Sequence, residues 1–104
     1  RATAQTLRER RDTLVAAVRR SVPGARVDLV PRGGFALWVA LPEDLDDVAV
    51  AAAAARAGVI VAAGRPWFPA EPPGPYLRLS FAASPAADLE RGAAVLGEVV
   101  ADME

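Results

Sequence analysis

The chain contains no cysteine, no histidine and no lysine. Without cysteine there are no disulfides and no thiolate metal sites, and without histidine the commonest metal ligand and the usual general base of the neutral range are missing. Without lysine, no side-chain amine can form a Schiff base with a carbonyl group. No run approaches the roughly 20 apolar residues that cross a bilayer, because Arg56 and Gly58 interrupt the alanine-rich stretch that starts at Ala49. No signal peptide is evident, so the expected compartment is the cytoplasm, with no membrane partner. Ser21, Ser80 and Ser84 have no histidine to activate them, which excludes a hydrolase triad. No residue of the chain is therefore assigned a catalytic role, and none a metal.

What is present suffices for one core. The 104 residues are 53% hydrophobic, which suits a single domain spanning 1–104. The chain begins at Arg1 and its one methionine is Met103, so it is expected to be a fragment of a longer polypeptide. Charge is uneven: residues 1–32 hold eight arginines against three acids, and the remainder four arginines against ten acids. A basic segment raises the thought of nucleic acid. An ordinary solvated helix explains it better, since no aromatic residue interleaves to stack bases and Arg8 and Asp12 stand four apart, as helical ion pairs do.

Hydrophobic spacing gives the elements. Leu7, Leu14, Val15, Val18 and Val22 predict an amphipathic helix over 6–22, stopped by Pro23-Gly24. A short strand over 27–30 and a turn at Pro31-Arg32-Gly33-Gly34 lead to a second strand over 35–41, which together make a hairpin. In that second strand Phe35, Leu37, Val39 and Leu41 alternate with Ala36, Trp38 and Ala40, and with both sets apolar the strand is expected to be central and covered on both faces in the intact protein. A helix is predicted from Pro42 through Ala57 with Gly58 beyond its end. Glu43, Asp44, Asp46 and Asp47 suit the positive end of that helix better than they suit a metal or acid/base cluster.

Residues 59–61 read as a short buried strand. The stretch 63–75 is irregular, with Gly64, Trp67, Phe68 and five of the nine prolines. A strand over 76–81 follows, then Ser84 as a cap, Pro85 at the first helical position and a last helix buried along Leu89, Ala93, Leu96, Val100 and Met103. The order predicts an α/β two-layer sandwich, a small, mostly antiparallel sheet with helices packed on one face, with one crossover and two hairpin-like connections.

One residue breaks the apolar pattern. In Pro75-Tyr76-Leu77-Arg78-Leu79-Ser80-Phe81, Arg78 shares a face with Tyr76 and Ser80 while the large apolar residues share the other. Its planar guanidinium suits a carboxylate held by two parallel hydrogen bonds. Spacing alone favours the plainer reading of a solvated surface arginine without deciding between the two.

A resemblance favours the first reading. Arg10-Arg11-Asp12-x-Leu14, Gly33-Gly34-Phe35-Ala36-Leu37-Trp38-Val39-x-Leu41, Ala57-Gly58-Val59-x-Val61 with Gly64 and Trp67, and Leu77-Arg78-Leu79-Ser80-Phe81-Ala82 together resemble the C-terminal small domain of class I/II aminotransferases. These are fold-type I enzymes that use pyridoxal 5'-phosphate (PLP). The resemblance covers about residues 8–100 and lies in the order and spacing of several weak motifs. It is nearest to the aminoadipate-aminotransferase-like branch, which includes GntR-type regulators of the MocR group. Ala63 departs from the family, which usually has proline there, and this bears on the loop around Trp67.

The resemblance implies that Arg78 binds the α-carboxylate of an amino-acid substrate or effector. It implies PLP in the full-length parent, held by a large domain of the same polypeptide with its Schiff-base lysine, and none bound by this chain alone. It further implies a homodimeric parent, and DNA contact only through a possible upstream winged-helix domain. Three functions follow: the substrate-carboxylate-binding domain of an aminotransferase, which moves an amino group between an amino acid and a 2-oxo acid; the effector-sensing domain of a GntR/MocR regulator; or a non-catalytic interaction module using Trp67 and Phe68.

Overall fold

The computed structural model describes residues 3–29, 36–64, 74–81 and 85–104. The expectations for Val30, the turn at Pro31-Arg32-Gly33-Gly34, Phe35, Trp67, Phe68 and the Ser84 cap lie outside these residues. The described residues form α1 (Ala4–Ser21), β1 (Arg26–Leu29), β2 (Ala36–Ala40), α2 (Asp47–Arg56), β3 (Ala62–Ala63), β4 (Tyr76–Ser80) and α3 (Ala86–Met103). The strands make one sheet in the order β1-β2-β4-β3, antiparallel at every junction. This is the expected two-layer α/β architecture.

α1 starts where Thr3 accepts a hydrogen bond from the Thr6 N–H, and buries Leu14, Val15, Ala17 and Val18. It packs on α3, whose stripe of Leu89, Ala93, Leu96 and Val100 is buried as the spacing predicts. Leu37, Val39, Leu77 and Leu79 meet these helices from one face of the sheet, so period two in the strands and period 3.6 in the helices close on the same core. The helices approach closely at Gly97, where a Cβ would lie 2.1 Å from the Ser21 carbonyl oxygen.

The structure differs from expectation at several element ends. α2 begins at Asp47 rather than after Pro42, because the Leu45 N–H bonds the Pro42 carbonyl at 3.0 Å in a turn that buries Leu45. The extended Asp46 is then the cap, its carboxylate accepting from the Val48 N–H at 3.0 Å. The capping account of the acids is borne out there, and no group of acids able to hold a metal occurs among the described residues. At the other end Gly58 takes φ +92, Gly58 N–H bonds the Ala55 carbonyl and Val59 N–H the Ala54 carbonyl at 2.8 Å, a paired closure that satisfies carbonyls left open by the last turn.

That closure also corrects the strand expected over 59–61. Val59 commits its N–H to the helix, Ile60 is 84% exposed, and pairing with β4 begins only at Ala62. Pro85 stands at the N-cap, one place before the position predicted for it. Asp12 pairs with the adjacent Arg11 at 3.1 Å rather than with Arg8. No helix among the described residues is long and apolar enough to cross a membrane.

Candidate functional site

β4 carries the site because it is an interior strand with two different faces. Leu77 and Leu79 are buried toward the helices, while Tyr76 and Arg78 are half-buried and Ser80 is exposed on the opposite face. The predicted alternation therefore holds, and it puts Arg78 on the face that the helices leave uncovered.

Register supplies its neighbours. Arg78 stands opposite Trp38 of β2 on one side and Ala62 of β3 on the other. Directly opposed residues of antiparallel strands point to the same face with Cβ atoms about 4.5–5.5 Å apart. The same face receives Ala40 opposite Tyr76, Ala36 opposite Ser80, and Arg26 opposite Ala40. Beyond β3, the Gly64 N–H donates to the Tyr76 carbonyl at 2.7 Å and extends the pairing by one residue. The residues at these register positions are cationic, aromatic or small, and Asp28 of β1 falls in the irregularity between Val27 and Leu29 beside Trp38.

An arginine in this setting can bind and orient an anion. Its fork offers two parallel donors to a carboxylate, and a half-buried charge pair is screened less than a solvated one. The chain supplies no histidine, cysteine or lysine, so this face contributes binding and orientation. The face on which Arg78 lies was legible in the sequence. Ala62 was missed, because the strand was expected three residues earlier, and the adjacency of Trp38 to Arg78 and of Gly64 to Tyr76 has no signal in sequence spacing, since it depends on which strands become neighbours.

A separate groove of about 320 Å³ lies against α3, lined by apolar residues such as Leu14, Val59, Leu79 and Leu96, together with Asp88. Arg78 does not line it.

No protein-family model matches the sequence, and no curated protein matches it. Solved structures do. The alpha-aminoadipate aminotransferase LysN of Thermus thermophilus, complexed with N-(5'-phosphopyridoxyl)-L-leucine, superposes with a TM-score of 0.84 over 95% of this chain at 26% identity. The chain has the fold of part of an aminotransferase. A multiple substrate aminotransferase from Thermococcus profundus gives a TM-score of 0.81 over 91% of the chain at 27% identity. An archaeal alanine:glyoxylate aminotransferase gives 0.84 over 94% at 25% identity. The chain spans only 24 to 25% of the length of these aminotransferases.

Proposed function

We propose that this chain is the small, substrate-carboxylate-binding domain of a PLP-dependent aminotransferase-like protein, and that Arg78 grips the α-carboxylate of the amino acid. The observation that carries this reading is the half-buried Arg78 in the middle of an interior strand, on the uncovered face of an aminotransferase fold. The leucine moiety of the ligand bound by the Thermus enzyme bears the kind of carboxylate such a residue would hold.

The chain has no lysine, so its residues do not fit a cofactor anchor. When bound by the rest of the polypeptide, PLP would supply the electron sink for amino-group transfer. Arg78 contributes orientation: two charge-assisted hydrogen bonds fix the carboxylate end of the amino acid and so limit the positions its α-carbon can take. The named neighbours are aminotransferases, which favours an enzyme over an effector sensor of the GntR/MocR type. A winged-helix segment upstream in the full-length polypeptide would reverse that preference.

The test is Arg78→Ala in the full-length polypeptide, with binding of L-leucine compared with isoamylamine, its decarboxylated counterpart. The variant is expected to lose about 10- to 100-fold in affinity for the amino acid and little for the amine, with cofactor loading unchanged. Equal preference before and after the substitution would falsify the role.

A further inference from the structure

The uncovered face is closed on one flank of Arg78 and open on the other. Toward Tyr76, Ala40 is only 4% exposed although it points away from the helices, and Gly64 is buried. Toward Ser80, Ala36 is half-buried and Ser80 is exposed. The Trp38 indole reaches the first flank at Gly64. A Cβ built on Gly64 would lie 3.0 Å from Trp38 Cζ3, as well as 2.8 Å from Tyr76 Cβ and 3.0 Å from the Tyr76 carbonyl oxygen. The indole thus leans from its place opposite Arg78 across the sheet to Gly64, and only a residue without a side chain permits that approach.

We infer that Gly64 is a positioning residue for the anchor: by seating the Trp38 indole on the Tyr76 side of Arg78, it keeps the Ser80 side clear for the incoming carboxylate. The inference rests on Arg78 being that anchor. A methyl group at position 64 must push the indole off its seat or lift the end of β3 from Tyr76, since contacts near 3 Å leave no room for it. Where the indole yields, it is displaced away from Gly64 and back over the face toward its own place opposite Arg78, where it competes with the carboxylate for the space in front of the guanidinium.

The experiment is a double-substitution cycle in the full-length polypeptide, reading the preference for L-leucine over isoamylamine, with the unfolding midpoint measured alongside. Gly64→Ala is expected to lower that preference roughly tenfold, the scale on which small misplacements act. Trp38→Leu should remove most of the sensitivity, so that adding Gly64→Ala to it changes the preference little, even though the stability cost at Tyr76 persists in both backgrounds. A full, additive loss of preference in the Trp38→Leu background, or an unchanged preference in Gly64→Ala, overturns the inference. If Gly64→Ala does not fold, the seat itself is read by NMR in the unsubstituted full-length polypeptide, where nuclear Overhauser contacts from the Trp38 indole to the Gly64 Hα that persist when L-leucine binds are expected, and their absence overturns the inference. Arg78→Ala separates the two levels. Preference retained in that variant removes the anchor reading itself, whereas preference lost there but indifferent to Gly64 and Trp38 removes only the role given to Gly64.

Discussion

Trp38 and Arg78 stand directly opposite one another on β2 and β4, the two interior strands of the sheet. They are forty residues apart in a chain whose intervening segment contains α2 and β3. The pair exists because the chain leaves β2, crosses through α2 to β3, and returns to insert β4 between them. One strand thereby carries both a core face and the candidate site, and the two can be separated by substitution.

Adjacent residues of β4 should behave oppositely. Leu77 is fully buried against Val39 and the helices, so Leu77→Ala is expected to cost about 2–5 kcal/mol of stability. Arg78→Ala, on the other face, should cost much less and act on carboxylate binding instead. Urea unfolding and ligand titration of the two variants check this, and a reversed order would contradict the assignment of faces.

Gly97 should be nearly irreplaceable. Its Cβ would meet the Ser21 carbonyl oxygen at 2.1 Å and the carbonyl carbon at 2.9 Å, which are backbone atoms at the end of α1 and cannot swing aside. Gly97→Ala is expected to destabilise by about 3 kcal/mol or more, at the upper end of overpacking costs. An unfolding midpoint equal to that of the parent would mean the helices do not cross there.

Gly58 gives a milder and differently caused effect. Nothing lies within 4 Å of its absent Cβ, but its φ is +92, so Gly58→Ala should cost about 1 kcal/mol through the backbone alone. Asparagine tolerates the left-handed region better, and Gly58→Asn should cost less than Gly58→Ala in the same urea titration. Equal losses would point to a steric cause that the structure does not contain.

The acids before α2 should act as caps. Asp46→Ala is expected to lose about 1 kcal/mol, and Asp46→Asn only a fraction of that, because the amide oxygen can still accept from Val48. Added magnesium or calcium should leave the midpoint of the unsubstituted protein unchanged. A cation-dependent rise abolished by Asp46→Asn would revive the metal reading.

Sequence periodicity was sufficient wherever one face of an element meets the core. The buried stripe of α3, the alternation of β4 and the hairpin of β1 with β2 all follow from apolar spacing, because burying that spacing leaves few alternatives. It failed at element ends. Residues 43–46 carry good helix-start chemistry, yet the turn that buries Leu45 delays the helix to Asp47. Residues 59–61 are good strand formers, but closing α2 consumes the Val59 N–H and the sheet accepts Ala62-Ala63 instead.

The sequence by itself determined that this chain supplies no amine, thiol or imidazole side chain, that its fold is a helix-backed sheet, and that one arginine interrupts an apolar strand. Those are properties of residue type and local spacing, which the chain carries whatever its shape. Only the tertiary structure decided what stands beside that arginine. Strand order and register bring Trp38 and Ala62 opposite Arg78 and Gly64 opposite Tyr76 from distant parts of the chain, and which strands become neighbours is a property of the whole fold, not of any local pattern.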